Sequence, residues 1–377
     1  ELEKKAQEKN QLYSLLESIF VFYHKKLLDN EEVLEWIYEI WGFGLETIKT
    51  FNIGFANNQG VLKHLHDCGF TNDDLLSSGL FVKTQNGVLP FFEGRVVIPY
   101  LHDGRVVYSI ARKTPWTPDN KYEGGKDPND RKYKKQLTHS EKFPYVSQHI
   151  HNRHIFNADA ARNSSEIVIT EGIADCISAD VQGLSTISPA TVDFSKKTKN
   201  LLLYVCRKAN MVFICNDHEE SGAGEKGAMR TALFLEQNGV NAKIVRLPRQ
   251  DGEKKIDLND FFKSGKTAED FEALKQNAKR PLEVKIDKIT DEISRAEKYG
   301  AAEEIIAEIS KLPDSKQEPY VQKMKERLDI QLTWIRKQLK KTPDEDDKEL
   351  SLLEKAKTLI DNHGPFLHTD GNSWYEY

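Results

Sequence analysis

Three segments in which carboxylates follow apolar residues constrain this chain more than anything else in it. IVITEGIADC covers residues 167–176, MVFICNDHEESGAGEKGA covers 211–228 and KIDLNDFF covers 255–262. Segments of helical length separate the first two apolar runs and follow the second. Strands alternating with helices in this way require a parallel sheet with right-handed crossovers. Open α/β sheets build their sites beyond strand C-termini. Glu171, Asp175, Asp217 and Glu219 fall there, and Asp257 and Asp260 follow one more predicted strand. Carboxylates converging on a rigid sheet suit hard divalent cations, which serve chemistry on phosphates.

Composition sets the outer limits. The 377 residues suggest two or three domains. A formal net charge of -5 gives no global basic field, so binding of nucleic acid requires a local patch. The 4 cysteines are scattered without CxxC spacing, which argues against a disulfide framework and against a zinc site in this chain. No signal peptide or membrane-spanning run is legible, so the expected location is cytoplasmic, with no membrane partner. The chain starts at Glu1 rather than Met, and FLHTDGNSWYEY reads as a strand, a turn at Asp370-Gly371 and the start of another strand. A fragment of a longer polypeptide, with a further domain following, is the expectation.

Residues 1–50 carry apolar residues at helical spacing. A short helix is expected over Thr47 to Phe51, and another starting at Asp73 with Thr71 as its cap. GRVVIPYLHDGRVVYSIAR predicts a hairpin turning at His102-Asp103-Gly104. The polar stretch 115–145 reads as a long loop or lid. Strands are predicted at 166–170, 184–188, 211–215 and 242–247, with helices at 172–182, 193–208 and 225–238. Two amphipathic helices, 282–308 and 315–341, are expected to meet at Leu312-Pro313-Asp314, followed by an acidic linker over 342–349.

The motifs differ in specificity. In EGIADC, Gly172 permits a sharp turn and Asp175 falls one helical turn after Glu171, although a plain strand-to-helix turn with a capping acid has the same form. In NDHEESGAGEKGA, Asp217 and Glu219 point the same way if the strand persists through His218. The loop with Gly222, Gly224 and Gly227 that follows opens a helix, a geometry that favours anions. A solvated acidic turn is the alternative. His149, His151 and His154 match no metal template and read as surface or core histidines.

The order of these acidic motifs resembles the toprim fold. The resemblance extends upstream: YHKKLL with WGFGLETIKTFNIGFA, FEGRVVIPYLHDGRVVYSIARKT, KYKKQLTHSEKFP and HIFNADAAR are similar to the catalytic core of bacterial DnaG-type primases, over roughly residues 20–262. The segment KYGAAEEIIAEISKLPDSKQEPYVQKMKERLDIQL is similar to the helicase-binding region of those primases, although a plain helical hairpin fits it too. A phage or mobile-element primase-helicase is the expected setting.

The resemblance implies an α/β toprim domain, a short parallel sheet flanked by helices, preceded by an α+β basic subdomain and followed by a helical region. The implied boundaries are 1–160 for the primase-like subdomain, 161–265 for the toprim domain, 266–341 for the helical region and 342–377 for a linker and the start of a further domain. It implies synthesis of short RNA primers on single-stranded DNA from nucleoside triphosphates, with a replicative helicase or a fused helicase domain as partner. Glu171, Asp217 and Glu219 would be catalytic. With Asp175, Asp257 and Asp260 they would hold Mg²⁺ or Mn²⁺ in a two-metal site. Glu171 could instead act as general base. Arg95 and Arg112, with Lys132 and Lys134, would bind template or triphosphate. Departures are evident: Asp217-His218-Glu219 stands where the family has Asp-Gly-Asp, Asn259 stands where an acid is common, and the zinc ribbon that usually precedes the core is absent from the chain. A toprim nuclease, and a non-catalytic module that holds single-stranded DNA and docks a helicase, are the rival readings.

Overall fold

The computed structural model describes residues 2–85, 87–118, 131–190, 194, 198–250, 252–290, 292–341, 367–369 and 372–374. Residues 1–288 with 312–316 form one compact unit, and residues 289–311 with 317–377 a second.

The first unit opens with α1 (Leu2–Leu28), α2 (Glu31–Trp41) and α3 (Leu45–Thr50). Along α1, Leu12, Leu15, Leu16, Ile19, Phe20, Tyr23 and Leu27 are buried, a stripe at helical spacing that faces the core. Strand β1 (Gly54–Phe55), α4 (Val61–Asp67) and α5 (Asn72–Ser77) follow. Thr71 caps α5 reciprocally with Asp74, as the sequence suggests, and the helix begins one residue earlier than expected, at Asn72. Next come β2 (Phe81–Thr84), β3 (Gly87–Pro90), β4 (Arg95–His102), β5 (Arg105–Lys113) and β6 (Tyr133–Lys135). The predicted hairpin is β4–β5, turning with φ of 49° at Asp103 and 74° at Gly104, the handedness that suits a two-residue turn. Its sheet runs β1-β4-β5-β6. The predicted loop 115–145 therefore contains a strand, because β6 satisfies the free edge of β5. Residues 119–130 of that loop lie outside the described residues.

The parallel sheet has the order β11-β9-β7-β8, built from β7 (Glu166–Thr170), β8 (Thr186–Ile187), β9 (Met211–Cys215) and β11 (Ala242–Ile244). Helices α6 (Ile173–Val181), α7 (Lys199–Cys206) and α8 (Ala223–Gln237) connect them. Ile167, Ile169, Val212 and Ile214 face one core with α7 and α8, while Val168, Phe213 and Cys215 face the other. Burial on both faces explains why these strands are apolar without alternation. The predicted strands 184–188 and 242–247 are shorter in the structure, and part of the predicted helix 193–208 lies outside the described residues.

Strand β10 (His218–Glu219) does not continue β9. It pairs antiparallel with β12 (Lys255–Ile256), so the alternation expected for Asp217 and Glu219 on one strand is broken between them. α9 (Leu258–Lys263) and α10 (Ala268–Gln276) follow, then α11 (Pro281–Asp287). α6 is shared: Ile173, Cys176 and Ile177 pack in the N-terminal core, and Ala179 packs under the parallel sheet.

The expected pair of long helices after residue 281 is four shorter ones: α11, α12 (Arg295–Ile309), α13 (Asp314–Leu328) and α14 (Leu332–Leu339). Ser294 and Glu297 form a capping box that starts α12, and Asp329 takes a φ of 55° that ends α13. Such local stops override the amphipathic period. In the second unit, Tyr299 packs edge-on against Trp334 at 4.6 Å. Its last residues contain a paired β13 (Leu367–Thr369) and β14 (Asn372–Trp374); the acidic stretch 342–349 lies outside the described residues. Among the described residues no helix is long and apolar enough to cross a membrane.

Ile214 is fully buried on central strand β9. Ile214→Ala is expected to cost about 2–5 kcal/mol, read as a lowered denaturant midpoint with an unchanged slope in chemical unfolding.

Candidate metal centre

The turn after β7 carries the first acids. Asp175 sits in the first turn of α6, buried, and its carboxylate accepts from the Gly172 backbone N–H at 3.1 Å. A Cβ on residue 172 would lie 2.5 Å from that carboxylate, so glycine is required for the close approach. The other oxygen of Asp175 accepts from the Asn259 backbone N–H at 2.9 Å. Asn259 is itself buried, and its amide donates to the Trp41 carbonyl at 2.8 Å and to Ser178 Oγ at 2.6 Å. The position where an acid is common thus holds a side chain turned into the structure. It anchors α9 to the end of α2 and to α6.

Asp217 lies just past β9 and is also buried. α8 begins against it: a Cβ at Gly224 would stand 2.1 Å from the Asp217 carbonyl oxygen, and Asn216 donates to the Gly224 carbonyl at 3.2 Å. Within the glycine-rich loop, Gly224 closes on the Asp217 backbone, while the space beside Gly222 is open. Asp257 caps α9, accepting from the Asp260 backbone N–H at 2.9 Å. One carboxylate oxygen from each of Asp175, Asp217 and Asp257 lies within 4.8 Å of the others. This is the His, Cys, Asp and Glu cluster with metal-ligand spacing among the described residues.

The remaining predicted acids stand around that triad. Glu171 is half-buried and its Oε2 is a buried acceptor without a hydrogen-bond partner. Glu219, on β10, accepts from Ser221 Oγ at 2.8 Å. Asp260 is exposed and lies outside the triad. His218 is held inside: Nδ1 donates to the Leu247 carbonyl at 2.8 Å, and Nε2 accepts from Arg246 at 2.9 Å. With both nitrogens engaged, this histidine braces β10 and is not free to be a ligand. His151 and His154, outside the cluster, stack on each other at 4.3 Å.

Electrostatics mark the same place. Burial, then the field of Asp217, pushes Glu171 up to about 7. Burial, then Asp257 and Asp217, raises Asp175 well above the usual carboxylate range. Asp217 is raised by burial, with Lys255 opposing. Lys255, unnoticed in the sequence, forms an ion pair with Asp217. Burial disfavours its charge, but the bond to Asp217 and the fields of Asp257 and Asp175 prevail, so the ammonium is held above its ordinary value. Three oxygen donors around one point and an unpartnered carboxylate oxygen nearby fit a hard divalent cation.

The predicted basic residues divide into two kinds. Arg95 is buried and donates to the Arg131 carbonyl at 3.1 Å, and Lys134 donates to the Phe91 carbonyl at 2.8 Å while lying over that ring. Both side chains thus have a donor engaged within the fold. Arg112 leaves Nε and Nη1 buried without partners and stacks over the Tyr133 ring at 5.2 Å; Lys132 lies at 6.0 Å from the same ring. Tyr133 was not singled out by sequence. Burial pushes its hydroxyl up to about 12, and it feels Arg112 as well as Asp175, Asp257 and Lys255, so it stands between the basic and acidic groups electrically. Its only sequence signal is an aromatic residue inside a lysine-rich strand.

Two outcomes follow. Gly224→Ala is expected to abolish Mn²⁺ uptake while leaving far-UV circular dichroism near wild type, because the clash falls on the Asp217 backbone. The raised Glu171 value means that the folded state keeps its proton between pH 4.5 and about 7 while the unfolded chain loses it. Metal-free stability should therefore be highest below that window and fall as pH rises through it. Glu171→Gln should flatten this slope in thermal melts run in EDTA.

Residues 22–157 match the family described as DNA primase catalytic core, N-terminal domain, and residues 168–262 match the Toprim-like family. The DNA primase of Clostridium acetobutylicum is 23% identical over 335 residues, covering 87% of this chain and 51% of that protein. The DNA primase of Listeria monocytogenes is 22% identical over 373 residues, covering 96% of this chain and 56% of its relative. The chain thus spans about half the length of these relatives. Its fold is similar to the zinc-binding and RNA polymerase domains of Aquifex aeolicus primase, with a TM-score of 0.65 at 18% identity, covering 87% of this chain and 75% of that one. A DnaG primase catalytic domain bound to single-stranded DNA gives a TM-score of 0.64 at 20% identity, covering 87% and 99%. A primase N-terminal domain leading into a toprim sheet, with its acids gathered at the strand ends, identifies this chain as carrying a catalytic core of the DnaG primase type.

Proposed function

We propose that this chain is the catalytic part of a DNA primase, which joins ribonucleotides into short primers on single-stranded DNA. The observation that carries the reading is the Asp175–Asp217–Asp257 cluster, set where the toprim sheet meets a primase N-terminal domain. The three aspartates would hold Mg²⁺ or Mn²⁺. Asp217 acts on both Asp175 and Glu171 and itself feels Glu219, so Glu171 and Glu219 would join the aspartates in holding a second ion. When bound, such ions supply charge neutralisation for the triphosphate and acidify the primer hydroxyl.

The chain's own residues do the rest. Glu171, titrating near neutrality, is suited to accept the proton of the primer 3′ hydroxyl. The buried Nε and Nη1 of Arg112 are donors still to be satisfied, and phosphate oxygens are suitable acceptors for them, with the Tyr133 ring stacked against the guanidinium. Lys132, exposed and 6.0 Å from the same ring, adds charge for the template backbone. Glu171, Asp217 and Glu219 are the proposed catalytic set, and Asp260 contributes at most from the rim. The domain division at about residues 160, 265 and 341 is proposed with the same reading, and the helices after residue 266 are proposed to bind a replicative helicase or a fused helicase domain.

Labelled ATP and GTP supplied with single-stranded DNA and either Mg²⁺ or Mn²⁺ test the proposal. Short metal-dependent products are expected, reduced at least about 100-fold in Asp217→Ala, and about tenfold or more in Glu171→Gln. Nicking of plasmid without triphosphates would point to the nuclease reading instead. Salt-sensitive DNA binding that survives both substitutions, without synthesis, would point to a binding module.

A further inference from the structure

Lys255 neighbours the predicted acids and has no role in the reading above. It sits on β12, directly opposite Glu219 in the two-residue ladder with β10, so its backbone is placed by the same strand pair that carries an acid. Its ammonium is bonded to Asp217 Oδ2. The two partners differ in freedom. The Asp217 side chain is 10% exposed and its backbone is gripped by Gly224, whereas the Lys255 side chain is 43% exposed on a four-carbon stem. If the pair is broken, the lysine moves and the aspartate stays.

Resting on the reading of the three aspartates as a cation site, we propose that Lys255 is the built-in counter-ion of this cluster, and that a divalent ion binds by displacing its ammonium from Asp217. Three carboxylates held within 4.8 Å repel one another, and the lysine offsets that repulsion when no metal is there. The same ammonium then competes for Asp217 when metal arrives. Lys255 thus keeps the empty site folded and sets the concentration at which it fills. It is a positioning residue for the cluster, with no contact to the reacting atoms required.

The test compares wild type, Lys255→Gln, Lys255→Arg and Asp217→Ala as the full chain stripped with EDTA. Free Mn²⁺ is followed by electron paramagnetic resonance during titration, and each protein is melted with and without the ion. Lys255→Gln is expected to bind Mn²⁺ about tenfold more tightly than wild type, since no cation must leave. Lys255→Arg, which keeps the charge, is expected to stay within about twofold. Without metal, Lys255→Gln should melt below wild type and gain more from Mn²⁺. Equal or weaker binding by Lys255→Gln, with wild type still saturating and Asp217→Ala not binding, overturns the displacement alone. No uptake by any of these proteins, or equal uptake by Asp217→Ala and wild type, overturns the metal reading and this inference with it.

Discussion

Repulsion among Asp175, Asp217 and Asp257 is the constraint around which the core is arranged. Two of these carboxylates are buried, and burial of like charges at this spacing is costly unless donors are aimed at them. The donors are largely backbone: Gly172 and Asn259 N–H for Asp175, and Asp260 N–H for Asp257. Backbone donors are fixed by the strand-to-helix turns and need no ordering of flexible side chains. The glycines at 172 and 224 let these turns come close enough. A site of this type is therefore a property of the loops between strands and helices, with the sheet supplying the rigid base.

The sheet can be that base because both of its faces are covered. Ile167, Ile169, Val212 and Ile214 close one side and Val168, Phe213 and Cys215 the other, so the strand ends carrying the acids have little freedom to shift. α6 belongs to two cores at once. It carries Asp175 while its apolar residues pack on the N-terminal helices and under the sheet. The N-terminal core and the core under the toprim sheet are separate, and both take residues from this one helix.

Local signals were the legible ones. Strands β7 and β9 stand at the predicted residues, the hairpin turns at Asp103-Gly104, and Thr71 caps its helix, because short-range sterics and hydrogen bonding decide each of these. Asp175, Asp217 and Asp257 were named from their places at the ends of strands or on the following helix, and the structure brings them together. What the sequence did not disclose depends on distant partners. His218 is secured by Leu247 and Arg246, Lys255 pairs with Asp217, and Asn259 reaches Trp41, which is 218 positions away. Arg95 and Arg112 look alike in the sequence, yet one is tied to a carbonyl and the other keeps two idle donors. The C-terminal helices were over-extended for a related reason: an amphipathic period persists across breaks that capping residues impose.

The end of α2 carries a consequence of its own. Its last carbonyls, at Glu39, Ile40 and Trp41, receive Lys263 and Asn259 from α9, where the helix dipole places negative charge. Asn259 holds that helix end with its side chain and Asp175 with its backbone. One residue therefore works as a mechanical linkage between them. The position of α2 bears on the same residue whose peptide orients an innermost acid. The end of α2 and the Asp175 carboxylate thus share one residue as a common support.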